Sequence, residues 1–306
     1  TIGSVTLTYA SNGNSATDGV GVYANAVIAS AATGGTFSAN NYSITYVNGN
    51  ITVTKKALTI TANNQTVNYG TAVVTVTGNG SYTATGFVNG ENTSVISGLV
   101  TYSTSYTATT AVGTAGVTIT PNVSGLSATN YSFTGANGTI TIGKANSAII
   151  ATGTINYTYT GLAQGPNTST VTGSTGAVTY SYSGTGSTVY AATATQPTNV
   201  GTYQVIAKVA ATANYDSAFS SAYAFTINPA ALTITARDTS RVYGSTLAGG
   251  AGSNRFTASG LQNGQTIGSV TLSYSSNGNS ATDGVGVYTN AVIASAAAGG
   301  TFTASN

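Results

Sequence analysis

Residues 41–70 read NYSITYVNGNITVTKKALTITANNQTVNYG. The first half alternates polar residues with aromatic and β-branched ones, the pattern of strands with one buried face. SITYV and ITVTK flank Asn48-Gly49-Asn50, and an Asn-Gly pair between such runs predicts a hairpin with positive φ at the glycine. The second half, ALTIT, begins a new strand after only Lys55, Lys56 and Ala57. One β-module therefore runs directly into the next, with no flexible Gly/Ser linker between them.

The rest of the chain repeats this arrangement. Residues 1–41 return as residues 266–306 at an offset of 265, with six differences, at positions 8, 10, 24, 33, 38 and 40. A shorter repeat lies inside that period. Its landmarks are a strand ending at or near a tyrosine (Tyr69, Tyr157, Tyr243), a Val-Gly pair (Val20, Val112, Val200, Val285) and an Asn-Tyr pair (Asn41, Asn130, Asn214). Steps of 88 residues from Val112 to Val200 and 85 from Val200 to Val285 leave 92 for the third step of the period.

The expected domains are therefore 1–56, the C-terminal part of a module; 57–145 and 146–230, two complete modules; and 231–306, the N-terminal part of the next. Residues 231–265 followed by 1–56 rebuild a whole module. The chain reads as a segment of a longer fibre.

Module 57–145 holds seven strand-like runs, at 57–62, 73–77, 81–85, 98–103, 115–119, 130–134 and 138–142, with turn signals at Asn79-Gly80, Asn89-Gly90 and Asn137-Gly138. That count fits an immunoglobulin-like sandwich. The expected fold class is all-β: a tandem array of antiparallel Ig-like sandwiches of about 85–92 residues, set end to end as a rod. A β-helix would need a period near 20 residues, and none is present. The other joints, TITIGKANSAII and FTINPAALTIT, are as short as the first. Val20-Gly21-Val22-Tyr23, Val200-Gly201-Thr202-Tyr203 and Val285-Gly286-Val287-Tyr288 each place a tyrosine where Ig folds carry a tyrosine corner; the second module has Ala115 instead.

Composition narrows function. Charged residues are 4 % of the chain and the net charge is +2, against roughly 25 % charged in ordinary domains. Low hydrophobicity with high net charge marks disorder, and this chain lacks the charge. Seven basic residues without a stripe exclude a phosphate-tracking surface, so nucleic acid is not an expected partner. No apolar run is long enough to span a bilayer. The absence of cysteine excludes a disulfide framework and thiolate metal sites.

Catalytic, cofactor and metal residues are all expected to be none. There is no His or Cys, so a nucleophile would depend on Lys or carboxylate partners. The five acids, Asp18, Glu91, Asp216, Asp238 and Asp283, are dispersed, and Asp18 and Asp283 occupy one repeat position. A calcium cage needs several carboxylates in one loop, whereas NSATDGVG and NGENTS carry one each. Lys144 and Lys208 could in principle form Lys–Asn cross-links, but that chemistry needs a buried acid alongside. Ten Asn-x-Ser/Thr sequons, from Asn41 to Asn167, follow from a Ser/Thr-rich composition. The pairs Tyr42/Tyr46, Tyr102/Tyr106, Tyr157/Tyr159 and Tyr180/Tyr182 share strand faces if the strands are regular. They read as core-edge packing, or alternatively as sugar-stacking platforms.

ALTITANNQTVNYG, ALTITARDTSRVYG, SGLQNGQTIGSVTLSY and NYSITYVNGNITVTK resemble the MBG and YDG-type modules of large bacterial surface proteins, including filamentous-haemagglutinin-like adhesins. The likeness is strongest over 1–80 and 230–306 and weakest over 146–229, which looks more like a generic bacterial Ig-like repeat. The Asp of the YDG signature is absent, since Gly244 follows Tyr243 directly. The resemblance implies a non-enzymatic stalk segment of a secreted adhesin or matrix filament, located outside the cell or on its surface. Its partners would be neighbouring repeats, other fibres, or host and cell-surface glycans. The alternatives are a carbohydrate-binding module array and a matrix protein that polymerises by strand exchange.

Overall fold

The computed structural model describes residues 1–305. It is all-β in character, and the chain divides into two units, Thr1–Ala145 and the residues from Asn146 onward.

In the first unit, Lys56–Ala62 buries Leu58, Ile60 and Ala62 and exposes the residues between, the alternation of a one-faced strand. It lies between Tyr131–Ala136 and Tyr82–Thr85 in a three-stranded sheet. A four-stranded sheet runs Gln65–Asn68, Gly138–Gly143, Thr118–Asn122, Thr101–Thr104. Side chains of both sheets meet in one buried cluster containing Ala62, Val76, Tyr106, Val117, Ile119, Ile140 and Ile142.

The expectation of purely antiparallel sheets is corrected here. Tyr131–Ala136 runs parallel to Lys56–Ala62, and Gly138–Gly143 runs parallel to Gln65–Asn68. The two chains run side by side and change sheets together, one through Asn63 and Asn64, the other through Asn137. Asn137-Gly138 is therefore a sheet crossing rather than a hairpin. Gly138 is needed there because a Cβ would stand 2.4 Å from the Ala62 carbonyl oxygen.

Three further expectations change. Residues 73–77 are not a strand: Val73–Gly78 is a short α-helix. Its β-branched residues favour strands locally, but one helical turn seats Val76 in the core while leaving Val74 exposed. Residues 115–119 and 98–103 are shifted or split, to Thr118–Asn122, Ser97–Gly98 and Thr101–Thr104, and Gln65–Asn68 is an additional strand. Asn79 ends the helix. Asn89-Gly90 is a tight turn with φ of 54° and 73°, as an Asn-Gly turn of the primed type requires.

The hairpin expected at Asn48-Gly49-Asn50 is absent. Residues 43–48 form no strand, Gly49 begins the strand Gly49–Val53, and its φ is not positive. That strand pairs instead with Gly21–Gly35, whose other edge pairs with Ile2–Tyr9. The reason lies in the repeat. Tyr42–Val47 matches Tyr131–Ala136 in position, and Tyr131–Ala136 is a strand because Lys56–Ala62 lies beside it. No strand lies beside Tyr42–Val47 among the described residues.

In the second unit, Asn156–Thr158, Tyr223–Asn228, Gly201–Val209 and Val178–Gly184 form one sheet, again with one parallel pair, and Ala148–Thr152 pairs with Thr168–Thr172. Their core contains Ile149, Ala151, Tyr159, Tyr182, Tyr203, Val205, Ala207, Val209, Phe225 and Ile227. Beyond it, Thr233–Ala236 pairs with Phe256–Ser259, and Gly250–Ser253, Ile267–Tyr274 and Val292–Gly300 form a three-stranded sheet.

Candidate functional site

The titratable residues are dispersed into local structural bonds. Asp18 accepts the Ser15 amide, and its repeat equivalent Asp283 accepts the Gly278 and Ser280 amides, so both close turns. Glu91 accepts the Tyr131 hydroxyl. Asp216 and Asp238 offer backbone carbonyls to Ser147 and Arg255. Lys208 lies 5.2 Å over the Phe219 ring. Among the described residues no three of His, Cys, Asp or Glu gather where they could hold a metal ion. A cleft of about 960 Å³ opens between Ile234–Tyr243 and Asp283–Ala294. Its guanidinium, Arg241, is engaged by the carbonyls of Gly278, Ser245 and Asp283 and lies 3.6 Å from the Asp283 carboxylate.

The tyrosines fall mainly inside. Tyr106, Tyr159 and Tyr182 are buried, and Tyr102, Tyr157 and Tyr180 pack against the same clusters. Tyr106 follows the strand Thr101–Thr104 rather than sharing its face, and its hydroxyl donates to the Thr71 carbonyl. Tyr42 is exposed, stacked on Phe37, and the Tyr46 hydroxyl accepts the Ala32 amide. Three of the four pairs are thus packing elements. The tyrosine corners are real bonds: Tyr23, Tyr203 and Tyr288 donate to the carbonyls of Gly19, Asn199 and Gly284, four residues upstream in each case.

Burial pushes the hydroxyls of Tyr102, Tyr157, Tyr182 and Tyr203 above the ordinary 10.0. The Tyr131 hydroxyl is raised first by its bond to Glu91. A folded-state value above the unfolded one gives stability that is complete below the unfolded value and is lost as pH rises through the folded value. The melting temperature should therefore show no tyrosine-linked change from neutral pH to about pH 9 and fall above about pH 10. A scan that is flat through pH 11 would contradict this.

Several side-chain hydrogen bonds join one segment to the next. Val53 and Lys56 end and begin adjoining strands with two residues between them. Asn130 clamps this joint: its carbonyl accepts the Lys56 amide at 3.0 Å, and its side-chain oxygen accepts the Val20 amide at 3.0 Å. Lys55 Nζ donates to the Ala128 carbonyl and Asn89 Nδ2 to the Ala16 carbonyl, both at 2.8 Å. In the second unit Asn263, at the position matching Asn89, donates to the Gly161 carbonyl at 3.0 Å, and Gln265 Nε2 donates to the Tyr159 hydroxyl at 2.8 Å. Asn89 and Asn263 share a left-handed backbone, φ 54° and 48°. The same turn thus reaches back to the preceding segment in both units.

Asn130→Ala should speed hydrogen exchange of the Val20 amide by about fivefold, since one neutral bond is worth about 1 kcal/mol. The Ile119 and Ile140 amides should be unaffected. Unchanged exchange at Val20 would show that the clamp contributes nothing.

The strands, corners and joints define a β-rich chain of repeated sequence. Residues 58–141 match the family model of the MBG domain (YGX type). Tyr69-Gly70 lies inside the match, and Gly70 has φ 83° at the end of the parallel strand pair. No curated protein and no solved structure matches the chain.

Proposed function

We propose that this chain is a stalk or fibre segment of a secreted bacterial cell-surface adhesin or extracellular matrix filament, and that it acts mechanically rather than as an enzyme. The observation that carries this reading is the joint at Val53–Lys56. There strand follows strand with no linker, and Asn130, Lys55 and Asn89 tie the two sides. Modules joined in this way resist bending, and each contacts mainly its neighbours. The MBG match supports a surface-associated repeat domain. Among the described residues no helix is long and apolar enough to cross a membrane. The fine architecture in this reading is a tandem array of modules at 1–56, 57–145, 146–230 and 231–306, set end to end.

Length tests it. A compact module of this size has a radius of gyration of about 12 Å and an axial length of roughly 35–45 Å. One period of three modules should then span roughly 105–135 Å between equivalent atoms of residues 1 and 266. Scattering, or electron micrographs of the chain, can measure this. A span near 60 Å, as in a β-helix of about 4.8 Å per coil, would overturn the stalk reading.

A further inference from the structure

The outer face of the sheet that holds Lys56–Ala62 is made largely of threonine. That strand turns Leu58, Ile60 and Ala62 into the core, so Thr59 and Thr61 stand on the opposite side. In the antiparallel neighbour Tyr82–Thr85, Thr85 lies opposite Thr59 and Thr83 opposite Thr61. In the parallel neighbour Tyr131–Ala136, Thr134 lies opposite Thr59. One row therefore crosses all three strands as Thr134, Thr59 and Thr85. A second row, Thr61 with Thr83, stands one pleat further along. Thr59, Thr83, Thr85 and Thr134 are exposed and Thr61 is half-buried.

The ladder sets the spacing of this grid. Neighbouring strands lie about 4.7–4.9 Å apart, and alternate residues along one strand repeat at about 6.6–6.8 Å. The remaining outward residues are Ala57, Ser132 and Ala136, so the face carries no charge and no aromatic ring. Lys55, just ahead of the first strand, donates to the Ala128 carbonyl. Thr83 donates to the Asn63 side chain, whereas the hydroxyls of Thr59, Thr61, Thr85 and Thr134 bond to no other described residue. Two related faces in the second unit differ. On Ala148–Thr152, Ile150 interrupts the row, and the Thr152 and Thr168 hydroxyls are bonded to each other at 3.0 Å. On Thr233–Ala236, Thr233 and Thr235 face Ser259 and Thr257, but Arg237 and Arg255 extend the rows and share a backbone bond.

We propose that the threonine face of residues 56–62, 82–85 and 131–136 binds the surface of ice. The chemistry of the face leaves few other partners. Without a ring it cannot stack a sugar, and without a charge it cannot pair with a phosphate or a carboxylate. What it offers is a regular grid of hydroxyls and methyl groups. A hydroxyl both donates and accepts hydrogen bonds, as every water of a lattice does. The methyl groups between them hold no water of their own, so the waters at the hydroxyls keep the spacing of the grid. Oxygen atoms in the prism face of ice repeat at intervals close to both of these spacings. Guanidinium groups, as at Arg237 and Arg255, impose a different hydration and spoil the match. The inference stands on this face and not on the stalk reading.

Ice grown slowly from a dilute solution of the full chain tests this, because growing ice rejects proteins that do not bind it. The parent chain should be carried into the ice. T59K, which puts a charged side chain at the centre of the grid, should stay in the liquid. T85K makes the same test from an edge strand, where lysine is readily accommodated, and it too should be lost from the ice. T85K decides the matter if T59K does not keep the parent's unfolding midpoint. T170K and T235K, on the two related faces, should enter the ice as the parent does. Rejection of the parent chain, entry of folded T59K or T85K at the parent's level, or an equal loss in T170K would each overturn the proposal.

Discussion

Gly138→Ala is expected to destabilise the 57–145 fold by about 3 kcal/mol, at the upper end of what overpacking costs. Two parallel strand pairs change sheets at this point, and their backbones cross closely. A Cβ on Gly138 would sit 2.4 Å from the Ala62 carbonyl oxygen and 2.9 Å from that of Asn63. Both obstacles are main chain, so no rotamer change relieves them, and shifting Ala62 disturbs the strand that carries Leu58 and Ile60 into the core. The chain supplies its own control. Gly49 holds the matching position in the first segment, where a Cβ would meet the Val27 side chain at 3.4 Å. Gly49→Ala should cost under about 0.5 kcal/mol, the range of surface substitutions. Chemical denaturation followed by hydrogen exchange at Ile60 and Ile140 separates the two, and equal small losses would refute the crossing argument.

What the sequence disclosed, and what it withheld, follows from how local each signal is. The alternation of Leu58, Ile60 and Ala62 is local, and it identified a one-faced strand. The Val-Gly-x-Tyr landmarks also lie within four residues, so the corners of Tyr23, Tyr203 and Tyr288 are legible in the sequence. The parallel register of Tyr131 on Lys56 could not, because it joins residues far apart in the chain and no turn fixes it. Val73–Gly78 misled for the opposite reason. Its β-branched residues advertise a strand, but tertiary burial of Val76 decides the matter.

The clearest limit is a sequence that stands in two places. Val5 and Leu7 are 43 % and 48 % exposed, whereas their repeats Val270 and Leu272 are 1 % and 5 % exposed. Ile267–Tyr274 pairs with Gly250–Ser253 on the edge that Ile2–Tyr9 leaves open. Burial is a property of the neighbour, which no local pattern encodes. The joint was half legible in the same sense. Lys55-Lys56-Ala57 announced the missing linker, and Asn130 was visible as an Asn-Tyr landmark. Its target, the Val20 amide 110 residues away, was not.

Tyr203→Ala should be the most damaging single change in the second unit, with a loss of about 4 kcal/mol, as for other buried aromatic truncations. Tyr203 is 2 % exposed. Its ring stacks on Phe225 at 5.5 Å and meets Tyr190 edge-on at 5.7 Å, and its hydroxyl donates to the Asn199 carbonyl at 2.8 Å. Phe225 in turn meets Tyr157 and Tyr182 edge-on, so the ring removed is the stacked partner of the residue at the centre of an aromatic cluster that links four strands of one sheet. Tyr203→Phe keeps every ring contact and deletes only the corner bond, which should cost about 1 kcal/mol. The corner itself is common to Tyr23 and Tyr288, but those rings lie half-buried or exposed. Tyr288→Ala should therefore cost about 1 kcal/mol, close to the corner bond alone. The expected order of unfolding midpoints is wild type, then Tyr203→Phe and Tyr288→Ala together, then Tyr203→Ala well below. If Tyr203→Phe proved as damaging as Tyr203→Ala, the hydrogen bond rather than the aromatic cluster would hold this core, and the corner would outweigh the packing around it.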